Sequence, residues 1–274
     1  MFKGRQVLIT GATKGIGRDL AELFAGDGAH LVLVSRNSAD LAKVKSEWES
    51  RFGIRCTILA RDLSASGSHE ELASAIRGLG IDIDVVVNNA GFGVYGKFHE
   101  QPLVPQLGMI QLHITLPTYL SHVYLPRMLK NGFGGILNVA STGGFQPVPI
   151  ENVYCATKAY LIHFTEALAE ELRPSPVKIT CLCPGPTQTS FFESQYMKSC
   201  QPMKLSRMPS KKVALLGFEA FKKGKPLIVT GLSNQLMIGA ARLAPRSVVV
   251  RAAKKFVEQR NSSSTLDARR SKQE

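Results

Sequence analysis

Three side chains in the stretch from Asn138 to Lys158, NVASTGGFQPVPIENVYCATK, carry groups that can move a proton together: the Ser141 hydroxyl, the Tyr154 phenol and the Lys158 ammonium. Tyr154 and Lys158 stand four residues apart at the start of a strongly helical run, so both project from one face of one helix. A free phenol titrates at about 10, and an ammonium beside it favours the phenolate. Lys158 is therefore expected to lower the Tyr154 value and let it exchange a proton near neutral pH. Ser141 follows the apolar run Ile136 to Ala140, where its hydroxyl can hydrogen-bond the same substrate oxygen.

The elements that must position this trio alternate along the chain. Gln6 to Thr10 reads as a strand and Ile16 to Ala25 as a helix, with TGATKGIG between them. Glycines at 11, 15 and 17 let the backbone turn sharply and approach a diphosphate, which the helix N-terminus attracts. The next strand, His30 to Ser35, ends in Ser35-Arg36 where an NAD site commonly carries an acidic residue for the ribose hydroxyls. Arg36, helped by Lys14, suits a 2′-phosphate, so NADP(H) is favoured over NAD(H).

Helix is expected from Ser38 to Phe52, strand from Cys56 to Ala60 before Arg61-Asp62-Leu63, helix from Ser68 to Leu79, and strand from Val85 to Val87. That strand runs into NNAG, Asn88 to Gly91, whose amides and glycine suit a cross-linked strand end that a cofactor passes closely. A helical stretch from Val104 to Lys130 should bend near Pro117 and Pro126. After the strand Ile136 to Ala140 come a helix from Val153 to Arg173 and a strand from Lys178 to Cys183, which ends in PGPTQT, Pro184 to Thr189. Such a rigid turn, with threonine hydroxyls at a strand end, suits a cofactor amide. Phe191, Phe192, Tyr196, Met197 and Met203 form an apolar lid near 190–210. Helix from Ser210 to Lys223 and strand from Pro226 to Thr230 complete an α/β alternation without an interdomain linker.

The 274 residues, 44% hydrophobic, suffice for a doubly wound sheet in a single domain. Five cysteines (Cys56, Cys155, Cys181, Cys183, Cys200) show no paired metal-ligand spacing and sit mostly in apolar runs, which predicts buried thiols in a reducing, cytoplasmic compartment and no metal. No secretory signal is visible, and no apolar stretch approaches the roughly 20 residues of a membrane span. The net charge of +13 lies wholly in the last quarter: residues 1–197 hold 17 Lys+Arg against 17 Asp+Glu, and residues 198–274 hold 17 against 4. That asymmetry points to an anionic partner.

TGATKGIG, Asp62, NNAG, Ser141, YCATK and PGPTQT, in this order and spacing from Lys3 to about Phe192, resemble the short-chain dehydrogenase/reductase family. NNAGFG and GFQPVPIENVYCATKA are most similar to its hydroxysteroid dehydrogenase and 3-ketoacyl reductase branch. The resemblance implies a Rossmann-type sheet of about seven strands. It makes Ser141 the group that polarises a substrate carbonyl, Tyr154 the general acid or base, and Lys158 the residue that lowers the tyrosine pKa and holds the nicotinamide ribose. By the same resemblance, the cofactor contacts are Gly11, Thr13, Lys14, Gly15, Ile16 and Gly17 of the first turn, Ser35 and Arg36, Asp62 near the adenine, Leu63, Asn89, Ala90 and Gly91, Tyr154 and Lys158, Pro184 and Gly185, and Thr187 and Thr189 near the carboxamide and diphosphate. One position departs from the family: His113, in MIQLHITLP, stands where an asparagine is usual and is thought to steady a water relay.

These features predict an NADP(H)-dependent oxidoreductase that interconverts a carbonyl and a secondary alcohol on an apolar, lipid-derived substrate, as a homodimer or homotetramer. The alternative, favoured by His113 alone, is a catalytically weak cofactor-binding protein that regulates a partner or anchors at a surface. Nucleic-acid binding has only the basic tail in its favour, with no recognisable module. The reductase domain is expected over 1–232, a basic amphipathic helical extension over 233–260 and a disordered tail over 261–274. From Val248 to Glu258 the apolar residues Val248, Val249, Ala252, Ala253, Phe256 and Val257 oppose Arg251, Lys254 and Lys255, the pattern of a helix lying on an anionic membrane surface.

Overall fold

The computed structural model describes residues 1–193, 196–197, 207–255 and 257. Seven parallel strands form one sheet: β1 (Gln6–Thr10), β2 (His30–Ser35), β3 (Cys56–Ala60), β4 (Val85–Asn88), β5 (Gly135–Val139), β6 (Lys178–Cys183) and, last in the chain, β9 (Leu227–Val229). Their order is β3-β2-β1-β4-β5-β6-β9, so the winding reverses between β1 and β4. In such a doubly wound, Rossmann-type sheet the loops after the strand C-termini share one edge, and ligands bind at the reversal. The remaining strands, β7 (Thr187–Gln188) and β8 (Met208–Pro209), pair only with each other.

Strand residues alternate between two cores because side chains of a strand point to opposite faces in turn. Val7 and Ile9, Leu31 and Leu33, Val85 and Val87 enter one cluster, where α1 (Gly15–Gly26), α2 (Ser38–Phe52) and α7 (Ser210–Lys222) pack. Leu8, Val32, Val34 and Val86 enter the other, beneath α3 (Ser68–Gly78) and α5 (Leu116–Lys130). Burial on both faces explains why these strands are nearly all aliphatic. The first core is anchored by Phe2, whose ring lies 5.0 Å from Phe24, 5.9 Å from Phe218 and stacks on Phe221 at 5.9 Å. Each such ring contributes about 1.5–3 kcal/mol by leaving water. Asn37 caps α2 by accepting from the Asp40 N–H, and Gly53 ends it in the left-handed conformation at φ 64°.

One expectation is refined here and one is corrected. The stretch predicted as one helix bending at prolines is α4 (Leu103–Ile110) and α5, joined by a π-helical segment, Gln111–Thr115. Pro117 stands two residues after the π segment in a run that is helical from 103 to 130, so its ring and missing N–H disrupt the bond to the carbonyl of His113 four residues back, and Pro126 lies inside α5 without ending it. The irregular segment thus centres on His113, one turn before Pro117 and close to the first of the two predicted bends. In the C-terminal quarter, α8 (Leu232–Leu243) precedes a helical run over 246–255. The apolar face assigned to Val248 to Glu258 is not wholly free: Val257 is buried in a cluster with Tyr95 and Met197, and Val249 and Ala253 are half-buried. Phe256 and the predicted tail over 261–274 lie outside the described residues, as does Met203 of the predicted lid. Among the described residues no helix is long and apolar enough to cross a membrane.

Candidate active site

Because all seven strands are parallel, every predicted site segment that follows a strand is delivered to the same edge of the sheet. Gly11 to Gly17 follow β1, Ser35 and Arg36 end β2, Asp62 and Leu63 follow β3, Asn89 to Gly91 follow β4, Ser141 follows β5, and Pro184 to Thr189 follow β6.

The β1 turn is built around close approach. Gly11 has φ +68°, and a Cβ there would lie 2.9 Å from both Ala90 Cα and Asn89 Nδ2. Gly15 has φ +54°, and a Cβ there would meet Thr189 Cγ2 at 2.9 Å. Asn89 ties the β4 loop to this turn, its side-chain amide donating to the Thr10 carbonyl at 3.0 Å and the Gly11 carbonyl at 3.2 Å. Thr13 bonds Ser35 across the strand ends at 3.0 Å, while Ile16 packs into the core below. Lys14 begins α1 without a side-chain cap, and the first helical turn carries no acidic residue. Its leading N–H groups and dipole are therefore available to an anion, which is the fit a dinucleotide diphosphate requires.

At the far end of the turn, Arg36 is exposed and Lys14 lies 3.9 Å from Asp40, with two-thirds of its side chain exposed. Asp62 has its carboxyl held below the usual range: burial raises it, but bonds from the Ser64 hydroxyl and N–H and the charge of Arg36 outweigh that. Leu63 beside it is buried in the second core. Pro184 accepts from the Thr142 N–H at 2.9 Å, and Thr187 donates to the Gly185 carbonyl at 2.8 Å. Thr187 thus braces its own loop, and Thr189 accepts from the Phe191 N–H at 3.3 Å.

The catalytic candidates converge at the junction of β5 and α6 (Asn152–Glu171). Ser141 opens a short 3-10 turn, Thr142–Phe145, and its Oγ accepts from the Gly143 N–H at 3.1 Å. A Cβ on Gly143 would stand 3.5 Å from Ser141 Oγ and 3.9 Å from Tyr154 Cε1, which places hydroxyl and phenol ring both beside that glycine. One turn along α6, Lys158 is buried and donates from Nζ to the Val139 carbonyl at 2.9 Å. Its Nζ lies 5.8 Å from the Tyr154 ring centre.

The expected depression of the tyrosine pKa is overturned. Burial pushes the Tyr154 phenol above its ordinary value, opposed by a hydrogen bond with Ser141 and reinforced by Cys155 and Glu151. Burial also brings Lys158 down to about 8, against smaller raising effects of Cys181 and Cys183. Removal from water dominates for both groups, so the geometry favours the protonated phenol. Such a phenol is poised to give a proton rather than take one.

His113, 1% exposed, comes to the same place from the π segment. Its ring centre is 5.9 Å from that of Tyr154, and its Nδ1 lies 2.9 Å from Thr157 Oγ1. Sequence reasoning missed three supporting residues. Thr10 Oγ1 accepts the N–H groups of both Asn89 and Ala90 at 3.0 Å; Asn138 links Asn88 at 2.8 Å to Thr165 at 2.9 Å beneath the site; Thr157 donates to the Tyr154 carbonyl at 2.7 Å. Asn138 had a visible signal, being an amide in the middle of the apolar strand ILNVA.

A family model described as short chain dehydrogenase matches residues 5–199. The chain is 32% identical over 187 residues to the very-long-chain 3-oxoacyl-CoA reductase of Homo sapiens, covering 66% of this chain and 59% of that protein's length. It is 28% identical over 251 residues to the ketoacyl reductase HetN of Nostoc sp., covering 89% of this chain and 87% of that one. Among solved structures, a short-chain dehydrogenase from Sphingobium yanoikuyae in complex with NADPH superposes with a TM-score of 0.77 at 27% identity, covering 87% of this chain and 94% of that one. The matched span holds the whole glycine turn, Ser141, Tyr154 and Lys158. The chain therefore belongs to the short-chain dehydrogenase/reductase family, with 3-oxoacyl reductases among its relatives, and is a nicotinamide-dependent oxidoreductase acting on CH–OH or keto groups.

Proposed function

We propose that the protein is an NADP(H)-dependent reductase of an apolar, lipid-derived ketone, working chiefly toward the alcohol. The observation that carries this is the apolar wall beside the phenol. Tyr95, Met197 and Val257 form a buried cluster with Val148, Ile150 and Phe191, and the Phe191 ring lies 5.6 Å from Tyr154. A wall of this kind favours a hydrocarbon substrate by excluding water from it. Its 3-oxoacyl-CoA reductase relative supports a lipid-derived ketone.

In this reading Ser141 Oγ hydrogen-bonds the carbonyl oxygen and Tyr154 gives it a proton. The Lys158 ammonium holds the cofactor ribose and steadies the phenolate left behind. The bound nicotinamide supplies the hydride. Glycines 11, 15 and 17 admit the diphosphate, Asp62 and Leu63 flank the adenine, and Arg36 with Lys14 meets the 2′-phosphate. A bond to a charged group contributes about 1.5–3 kcal/mol. Screening at the exposed Arg36 and competition from Asp40 for Lys14 reduce this, so NADPH is expected to bind roughly ten-fold more tightly than NADH. Titrating both cofactors into wild type and Arg36→Ala tests it; equal affinities in the wild type would remove the preference.

A partner surface accompanies this function. Leu232, Leu236 and Leu243 lie along one side of α8 and are 77%, 74% and 90% exposed. From Ala220 to Val257 the chain carries eight Lys and Arg and no carboxylate. Exposed leucines within a purely cationic segment suit an anionic bilayer, at about 1 kcal/mol per cation near the surface. Truncation is a poor test, because Asn234 donates to the Thr230 carbonyl at 2.7 Å and packs on Gly185. With the full chain, Leu236→Asp plus Leu243→Asp should abolish salt-sensitive binding to phosphatidylserine vesicles and leave cofactor binding intact. Vesicles ignored by the wild type at low salt would end the membrane reading.

A further inference from the structure

Beyond β9 the chain turns back along the catalytic edge of the sheet. Its course follows the strand order in reverse, past β6, β5 and β4, and a contact marks each crossing. Asn234 of α8 packs on Gly185 in the turn after β6. The Arg242 guanidinium lies 5.9 Å from the centre of the Phe145 ring in the turn after β5. Val257 is buried with Tyr95 of the loop after β4, and the Tyr95 hydroxyl donates to the Val257 carbonyl at 3.4 Å. The run from 232 to 257 is thus a strap along the half of the edge that carries Ser141, away from β2 and β3. Its two sides differ in kind. Val249 and Ala253 are half-buried and Val257 is buried, an inner stripe at four-residue spacing, while Leu236 and Leu243 are exposed on the outside.

We propose that the ketone enters the site from an anionic bilayer itself, at the clasp between Val257 and Tyr95, so that the strap rests on the lipid with its outer side and lines the substrate's way in with its inner one. The inference rests on the reading above of an apolar ketone and a bilayer partner. The strap's charge selects the occupant of its outer side: Arg242, Arg246, Arg251, Lys254 and Lys255 lie within it and no carboxylate does. A second copy of the chain docking by the same face would set these cations against their own kind. Inward, the cluster that buries Val257 also holds Val148, Ile150, Met197 and Phe191, and the Phe191 ring stands 5.6 Å from that of Tyr154. An apolar path therefore leads from the clasp to the phenol. A long-chain ketone resides in lipid because each methylene favours leaving water, and an entrance at the lipid surface spares it the return. The hydrogen bond at the clasp is long and adds little to holding it shut.

The test presents one long-chain methyl ketone to the full chain in two kinds of vesicle, phosphatidylserine and phosphatidylcholine, at the same mole fraction in each. The ketone's concentration in water is then the same, so only a route through the lipid contact responds to lipid charge. Reduction from phosphatidylserine should be roughly ten-fold faster or more, fall to the phosphatidylcholine rate at high salt, and be matched by no change for a short water-soluble ketone. Equal rates from the two vesicles, with binding to phosphatidylserine demonstrated, would overturn the proposal and leave the membrane partner standing. Acceleration of the soluble ketone to the same degree would overturn it too, as activation by the surface rather than entry from it. If the chain ignores both vesicles, the bilayer reading fails and the proposal with it; if neither ketone is reduced, the reductase reading fails. Val257→Asp, which puts a carboxylate into the clasp, should keep vesicle binding and raise KM for the phosphatidylserine-borne ketone more than it lowers kcat. An unchanged KM in that variant would overturn the proposal, and should the variant not fold, the two-vesicle comparison on the wild type decides alone.

Discussion

Tyr154→Phe is expected to lower ketone reduction by about 100- to 10,000-fold, the usual worth of a positioned proton donor, while cofactor affinity is unchanged. The ring is held by neighbours that do not need the hydroxyl, with Phe191 at 5.6 Å and His113 at 5.9 Å between ring centres. Phenylalanine therefore keeps the packing and removes only the transferable proton. The pH dependence carries a second signature. With the phenol raised by burial, the donor stays protonated through neutral pH, and the ammonium of Lys158, brought to about 8, is the first group of the pair to lose its proton as pH rises. Reduction should be level below about pH 8 and fall above it. Oxidation, which needs the phenolate, should rise with pH. Initial rates in both directions over this range check the scheme; undiminished reduction by the phenylalanine variant would take Tyr154 out of the chemistry.

What the sequence disclosed depended on how local the cause was. Strand alternation and glycine spacing are set within a few residues, so β1 to β6, the β1 turn and the Tyr154-Lys158 pair were all legible in the order of residues alone. The form of the irregular turn between α4 and α5 was not. Pro117 disturbs the helix one turn back by local sterics, and the π segment does fall there, but the proline does not say that the irregular turn carries His113 to Thr157 and Tyr154 across the site, and Pro126 is accommodated inside α5. Protonation was misjudged for a related reason. Spacing shows that a lysine stands beside a tyrosine, but the sign of the shift depends on how deeply both are enclosed, and burial decided it. Val257 illustrates the same limit at the C-terminus. Helical periodicity finds its apolar face and cannot say that Tyr95 and Met197 cover it.

Gly17→Ala should abolish measurable cofactor binding, although alanine is the better helix former by about 1 kcal/mol. Gly17 lies within α1 with no positive φ, so the backbone itself would tolerate a side chain. The obstacle is contact: a Cβ there would collide with Asn89 Nδ2 and with the Gly11 carbonyl oxygen. Asn89 cannot swing aside freely, because its amide is bonded to the Thr10 and Gly11 carbonyls at 3.0 and 3.2 Å. The collision must therefore separate α1 from the β4 loop, opening the turn that receives the diphosphate, and overpacking of this kind costs about 1–3 kcal/mol in stability. Gly78 is the matched control. It closes α3 with no positive φ, and a Cβ there would meet nothing within 4 Å, so Gly78→Ala should be neutral or slightly stabilising and bind cofactor normally. Thermal melts and cofactor titrations on the two variants settle the point, and normal binding by Gly17→Ala would show that the β1 turn does not hold the diphosphate as assigned.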